Sequence, residues 1–233
     1  MAARYGDRLW VAALDLADGA AIEAVVGRAF AALGRIDTVI GNAGYALFGA
    51  AEEATAAQVR RQLDINLLGA IELIRACLPH LRAQGGGRVL QLSSEGGQIA
   101  YPGFALYHAS KWGIEGFVEA VAQEVAPFGI AFTLVEPGPA ATGFAQGLDR
   151  TEPLPAYAGT PADAIRQALE DGSFGISGDP QKMVDAMISS LDQVPAPRRL
   201  TLGSTAYTHV HAALTQRLAE LEAQRELACS ADL

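Results

Sequence analysis

The chain has 233 residues, half of them hydrophobic, 18% of them charged, and a formal net charge of −9. This is enough apolar material for one domain with a sizeable core, and it excludes a wholly disordered chain. The acidic balance opposes sequence-independent nucleic-acid binding, which depends on clustered lysine and arginine, so no nucleic-acid partner is expected. Cys77 and Cys229 stand far apart, without the spacing of a disulfide framework or zinc site, and fit a reducing cytoplasm. His80, His108, His209 and His211 make no metal-ligand pattern with carboxylates, so no metal is expected. No apolar run reaches a membrane span, and the N-terminus lacks a signal-peptide pattern.

The opening "MAARYGDRLW" reads as the end of a helix, and "LWVAALDL" (9–16) as a first strand. "DGAAIEAVVGRAFAALG" (18–34) places Ile22, Val25, Val26, Phe30 and Leu33 at helical spacing. "IDTVIGNAG" (36–44) is a second strand running into a glycine turn. Residues 55–84 form a long helical pattern, ending before the glycines at 85–87. "RVLQLSS" (88–94) is a third strand, followed by a helix from Phe104 to about Val125, and "GIAFTLVEPG" (129–138) is a fourth. Residues 137–160 are rich in Gly, Pro and small side chains; a loop so long in a compact domain is usually a lid or binding loop. A helix over 160–172 carries Thr160 as N-cap and Asp163 in a capping-box position, and Asp179 and Pro180 open another over 179–191. "RRLTLG" (198–203) is a last strand, and Ser204 caps a helix reaching about Leu227. This βαβα rhythm predicts an α/β fold in which a doubly wound parallel sheet is covered by helices on both faces. One domain spans 1–233, with a substrate lid at 139–178.

The candidate chemistry lies in "SSEGGQIAYPGFALYHASK" (93–111). Tyr107 and Lys111 are four residues apart, which on a helix puts an ammonium beside a phenol. Ser94 ends a strand, where parallel sheets open their ligand crevice. Asn66 sits within an apolar helical surround, where its amide is a poor helix former. Read singly, each has a plainer part: Ser94 a strand-end turn, Asn66 a satisfied core amide, Asp15 an N-cap. Alternation turns Ser93 away from Ser94. Tyr101 is a pocket residue or a loop anchor, and His108 is structural, rotated roughly 100° around the helix from Tyr107.

Taken together, "LDL" (14–16), "GNAG" (41–44), "DINLLG" (64–69), "LSS" (92–94), "YHASK" (107–111) and "EPGPAAT" (136–142) resemble the short-chain dehydrogenase/reductase family. "APFGIAFTLVEPG" (126–138), with "RRLTLG" downstream, resembles the subgroup related to 17β-hydroxysteroid and retinol dehydrogenases. The resemblance implies a Rossmann-like three-layer fold and an NAD(P)-dependent oxidoreductase that interconverts an alcohol and a ketone or aldehyde. The apolar lid residues Phe144, Leu148, Leu154 and Tyr157 lean toward an apolar substrate. Tyr107 is then acid and base, its reluctance to ionise eased by Lys111, and Ser94 hydrogen-bonds the substrate oxygen. Asn66 holds a water that links Lys111 to solvent, and Lys111 bonds the nicotinamide ribose. Asp15 and Leu16 match the adenine contacts, and Asn42, Ala43 and Gly44 the cofactor's floor, with Gly41 where the family usually has Asn. Pro137, Gly138, Ala140 and Thr142 match the stretch that fixes the nicotinamide carboxamide. The family's pairing of helices across two-fold axes implies a homodimer or homotetramer. Ile65, Leu68 and Leu73 support this, since they fall off the stripe of Leu63, Leu67, Ile71, Ile74, Leu78 and Leu81.

The family's first strand, glycine-rich turn and first helix, which hold the cofactor's diphosphate, have no counterpart in these residues. Two explanations stand: Met1 lies downstream of the natural start, or the strand at 9–16 has moved in to fill the space. NAD and NADP are therefore not distinguished. The alternative function is a non-catalytic remnant of the same fold that acts through assembly and binds little or no dinucleotide.

Overall fold

Four short runs rich in β-branched and apolar residues pair in parallel. They are β1 (Thr38–Gly41), β3 (Gly87–Leu92), β4 (Ile130–Pro137) and β6 (Arg199–Leu202), in the order β1-β3-β4-β6. The register sets Gly41 beside Gln91, Leu92 beside Val135 and Pro137 beside Leu202, so all four strands end along one edge. Two further short strands, β2 (Leu47–Phe48) and β5 (Asp149–Arg150), pair with each other. The computed structural model describes residues 2–232.

The helices in chain order are α1 (Ala2–Tyr5), α2 (Gly19–Leu33), α3 (Ala56–Leu63), α4 (Ala70–Ala83), α5 (Ala105–Val125), α6 (Pro161–Glu170), α7 (Pro180–Ser190), α8 (Ser204–Ala223) and α9 (Arg225–Cys229). Strand alternation divides the sheet into two faces. Val89, Ile130, Phe132 and Leu134 pack with Ile22 and Phe30 of α2, Ile74 and Leu81 of α4, and Ile114 and Val118 of α5. The opposite face carries Arg88, whose guanidinium donates to the Ser190 carbonyl at the end of α7, and Val135, which meets the α7 side chains around a cavity. The expected parallel sheet with flanking helices is therefore present.

Four local expectations are corrected. Residues 9–16 form no strand: they run irregularly, Leu14 and Leu16 pack on the core, and Val11 lies in solvent. An apolar run becomes a strand only where a neighbour offers its backbone groups, and the outer edge of β1 takes no strand among the described residues. The idea that this segment moved into the sheet is thereby overturned. Thr160 makes no capping bond; its hydroxyl donates back to the Tyr157 carbonyl, while Asp163 accepts from Gly159 N at 3.0 Å. The last helix stops at Ala223, with Gly203 rather than Ser204 at its N-cap, and α9 follows after Gln224. Leu73 lies against the core, because α2 covers α4 and supplies the partner that the helical stripe did not reveal.

Candidate active site

A cavity of about 330 Å³ opens where β3, β4 and β6 end. Ser94 has extended backbone (φ −169°, ψ 163°) directly beyond β3, and its hydroxyl accepts from Gly96 N at 3.0 Å. Tyr107 and Lys111 lie on the face of α5 that looks into the same space, with Lys111 Nζ 5.6 Å from the Tyr107 ring centroid. The expected trio of Ser94, Tyr107 and Lys111 therefore meets in one place.

The electrostatics follow from enclosure. Burial pushes the Tyr107 phenol up to about 12, partly opposed by a hydrogen bond with Ser94. Burial pulls the Lys111 ammonium down to about 8, with Glu115 acting in the other direction. Lys111 Nζ donates to the Leu92 carbonyl at 3.0 Å. At neutral pH the phenol holds its proton and the ammonium its charge. His108 stays structural: Nε2 accepts from Tyr101 N at 2.8 Å, so Nδ1 carries the hydrogen toward the Gly96 carbonyl at 2.9 Å. Burial lowers its pKa, consistent with a neutral ring. Ser93 turns to Glu115, as the alternation implied.

Asn66 sits in a π-helical turn, Asp64–Gly69, joining α3 to α4. Its Oδ1 accepts from Tyr45 N at 3.1 Å and its Nδ2 donates to the Tyr45 carbonyl at 2.7 Å. The amide thus fastens the loop after β1. Among the expected cofactor residues, Asn42, Gly44, Pro137, Gly138, Ala140 and Thr142 line the cavity, whereas Asp15, Leu16 and Ala43 do not. Asp15 accepts from Ala17 N at 2.9 Å, and Leu16 packs against the core. Gly41 lies close against Gln91: a Cβ there would be 2.2 Å from Gln91 Oε1.

Of the expected lid residues, Phe144 and Leu148 line the cavity, and Phe144 stands 5.9 Å from the Tyr107 ring. Leu154 and Tyr157 do not; Tyr157 Oη donates to Glu52 at 3.0 Å outside it. The excursion from Pro139 to Gly178 returns to its own start, where Gly178 N donates to the Pro139 carbonyl at 2.9 Å. Sequence reasoning missed Phe174, Met183 and Met187 on the cavity wall. Their signal was the helical spacing of Met183 and Met187, which set an apolar face without saying what it would meet.

The cavity has lining that would suit the nicotinamide end of a dinucleotide: Tyr107, Lys111, Pro137, Gly138 and Thr142 are the residues that would surround a ring and ribose there. The turn after β1 offers a diphosphate no comparable cradle. The Gly41–Gly44 turn has no residue of positive φ, so it does not form the alternating nest of N–H groups that binds such anions.

A family model described as short chain dehydrogenase matches residues 1–153. Oxidoreductase BOA17 of Botryotinia fuckeliana is 35% identical over 225 residues, 95% of this chain and 81% of that one. Human 17-beta-hydroxysteroid dehydrogenase type 1 is 35% identical over 147 residues, 60% of this chain and 44% of that protein. The crystal structure of a short-chain dehydrogenase from Streptomyces avermitilis superimposes with a TM-score of 0.91 at 36% identity, covering 100% of this chain and 84% of that one.

Proposed function

This chain belongs to the short-chain dehydrogenase family, and from that premise we propose that it interconverts an apolar secondary alcohol with its ketone, or an alcohol with an aldehyde. The convergence of Ser94, Tyr107 and Lys111 on one largely apolar cavity carries this reading. A nicotinamide dinucleotide, NAD or NADP, supplies or takes up the hydride when bound. Tyr107 as the phenol gives its proton to the carbonyl oxygen in reduction, and as the phenolate takes the proton of the hydroxyl in oxidation. Ser94 donates a hydrogen bond to the same oxygen as charge develops on it. Lys111 favours the phenolate electrostatically and faces the ribose, while Pro137, Gly138, Ala140 and Thr142 hold the carboxamide. Asn66 acts by fixing the loop that presents Asn42, Ala43 and Gly44. Asp15 and Leu16 have their part toward the adenine end, away from the reacting centre.

Phe144, Leu148, Leu169, Phe174, Met183 and Met187 support an apolar substrate, since a polar one would lose its water without replacement. The segment 139–178 serves as the lid. Two free cysteines, Cys77 buried and Cys229 exposed, support a reducing, cytoplasmic setting; among the described residues no helix is long and apolar enough to cross a membrane. Leu68 and Trp112 remain exposed and support a homodimer or homotetramer. The test is dinucleotide-coupled turnover across a panel of alicyclic and straight-chain alcohols, ketones and aldehydes. Turnover that rises with the apolar area of the substrate is expected; a folded, dinucleotide-bound protein that turns over none of them overturns the reading.

A further inference from the structure

Behind the reaction centre, three carboxylates meet one guanidinium. Arg199 on β6 donates through Nη1 to Glu115 and to Glu136 Oε1 (2.5 Å to the latter), and through Nη2 to Glu119 Oε1 at 2.8 Å. Glu115 and Glu136 are buried, whereas Glu119 is 42% exposed. Ser93 Oγ donates to Glu115 Oε1 at 2.5 Å, Gln98 Nε2 donates to Glu115 Oε2, and Thr201 Oγ1 donates to Glu136 Oε2 at 2.8 Å. The backbone makes room for this: a Cβ at Gly97 would lie 1.9 Å from Glu115 Oε1.

Such a cluster is costly. Each buried charge gives up most of its hydration, and apolar residues of the same volume would often serve the fold as well. One guanidinium also leaves the two buried carboxylates with an excess of negative charge. Lys111, also buried, lies one helical turn before Glu115, and its hydrogen bond goes to the neutral Leu92 carbonyl. Ser93, held by Glu115, immediately precedes Ser94.

We propose that Glu115 is a positioning residue for the reaction centre: its carboxylate is the counter-charge that keeps Lys111 an ammonium, and its bond to Ser93 fixes the strand end that presents Ser94. Arg199 makes the arrangement tolerable by joining Glu115 to β4 and β6. On the same helix, Tyr107 lies one turn before Lys111 and Glu115 one turn after it. The carboxylates of the neighbouring elements have partners elsewhere: Glu95 of the 3-10 turn Glu95–Gly97 is engaged by Tyr101 and His209, and Glu136 of β4 by Arg199 and Thr201. Burial drives Lys111 toward the neutral amine, and Glu115 opposes it.

The proposal borrows the name of the reaction from the oxidoreductase reading, but its test uses neither substrate nor dinucleotide, so absent turnover leaves the result standing. Lys111 and Lys182 are the two lysines of the chain. Protein labelled with 13Cε,15Nζ-lysine therefore gives two side-chain signals, assigned with Lys182→Arg, whose shifts are followed against pH. Lys111 is expected to titrate at about 8 in the parent. Glu115→Gln lowers that midpoint by about one pH unit, a tenfold loss of proton affinity, while Glu119→Gln leaves it in place. If Glu115→Gln does not fold by circular dichroism, Glu115→Asp, which draws the charge back by one methylene, lowers the midpoint by a few tenths of a unit. An unmoved Lys111 midpoint in folded Glu115→Gln, or in Glu115→Asp where only that variant folds, overturns the proposal.

Discussion

Glu53 and Arg166, 113 residues apart in the chain, close an ion pair at 2.7 Å with side chains 0% and 12% exposed. The same carboxylate accepts from Ala50 N, Thr151 Oγ1 and Leu154 N at 2.8, 2.8 and 3.0 Å. The pair ties α6 to the turn after β2, and α6 brings Leu169 to the cavity wall. One ion pair thus joins the excursion over the cavity to the body of the fold.

Acid should loosen that joint. Burial alone would raise the Glu53 carboxyl, but its hydrogen-bond donors outweigh burial and hold it at about 2, against an ordinary 4.5. A carboxylate with a depressed folded pKa stabilises the protein fully above 4.5, and that contribution disappears as pH falls toward 2. The urea midpoint should decline through this window. Glu53→Gln should cost about 3 kcal/mol at neutral pH by leaving Arg166 unpaired, and should flatten the decline. Equal urea midpoints for variant and parent at pH 7 would refute the assignment.

Tyr107→Phe should lower turnover by about a thousandfold with little change in thermal stability, because no neighbouring group is placed to exchange the proton. Lys111→Ala should slow oxidation and move its pH optimum upward, since the phenol then ionises without a nearby positive charge. Steady-state pH profiles of both variants decide it; parent-like turnover by Tyr107→Phe would sink the acid–base role.

Gly69 closes the π-helical turn against the segment that was expected to be a strand. A Cβ at this position would lie 2.3 Å from the Leu16 carbonyl oxygen, which is main chain and cannot rotate away. Gly69→Ala should therefore destabilise the fold by about 1–3 kcal/mol, by pushing residues 14–16 off the core. Gly27→Ala, where a Cβ meets nothing within 4 Å, is the control. Matching denaturation midpoints for the two variants would disprove the contact.

Dinucleotide binding by this 233-residue chain should be weak. Each charge-assisted hydrogen bond to a diphosphate contributes about 1.5–3 kcal/mol, and the Gly41–Gly44 turn supplies no nest for them. Calorimetric titration with NAD and with NADP should give Kd above about 100 μM. Micromolar binding would mean that other backbone groups rebuild the anion site. Absence of binding alongside retained assembly would favour the non-catalytic reading.

Assembly is testable by itself. Leu68 and Trp112 are 49% and 42% exposed, on the turn leading into α4 and on α5. Light scattering at micromolar concentration should report twice or four times the monomer mass. A monomer with a folded circular-dichroism spectrum would count against the oligomer.

The sequence by itself determined the periods of α2, α4 and α5, the existence of the strands β1, β3 and β4, and the four-residue step from Tyr107 to Lys111. These are local: helical spacing, alternation and turn chemistry are each written within a few residues, and strand ends in a parallel sheet share one edge. Tertiary structure decided whatever depended on a partner far along the chain. Residues 9–16 had the composition of a strand but no backbone to pair with. Leu73 seemed unpartnered until α2 packed over α4, and Leu154 and Tyr157 carried the right chemistry on the wrong side of the excursion. The joining of Glu53 to Arg166, and of Glu115 and Glu136 to Arg199, follows no motif. Charges that pair across 63 to 113 residues leave no period in the sequence, because the chain's folding, and not its local pattern, brings them together.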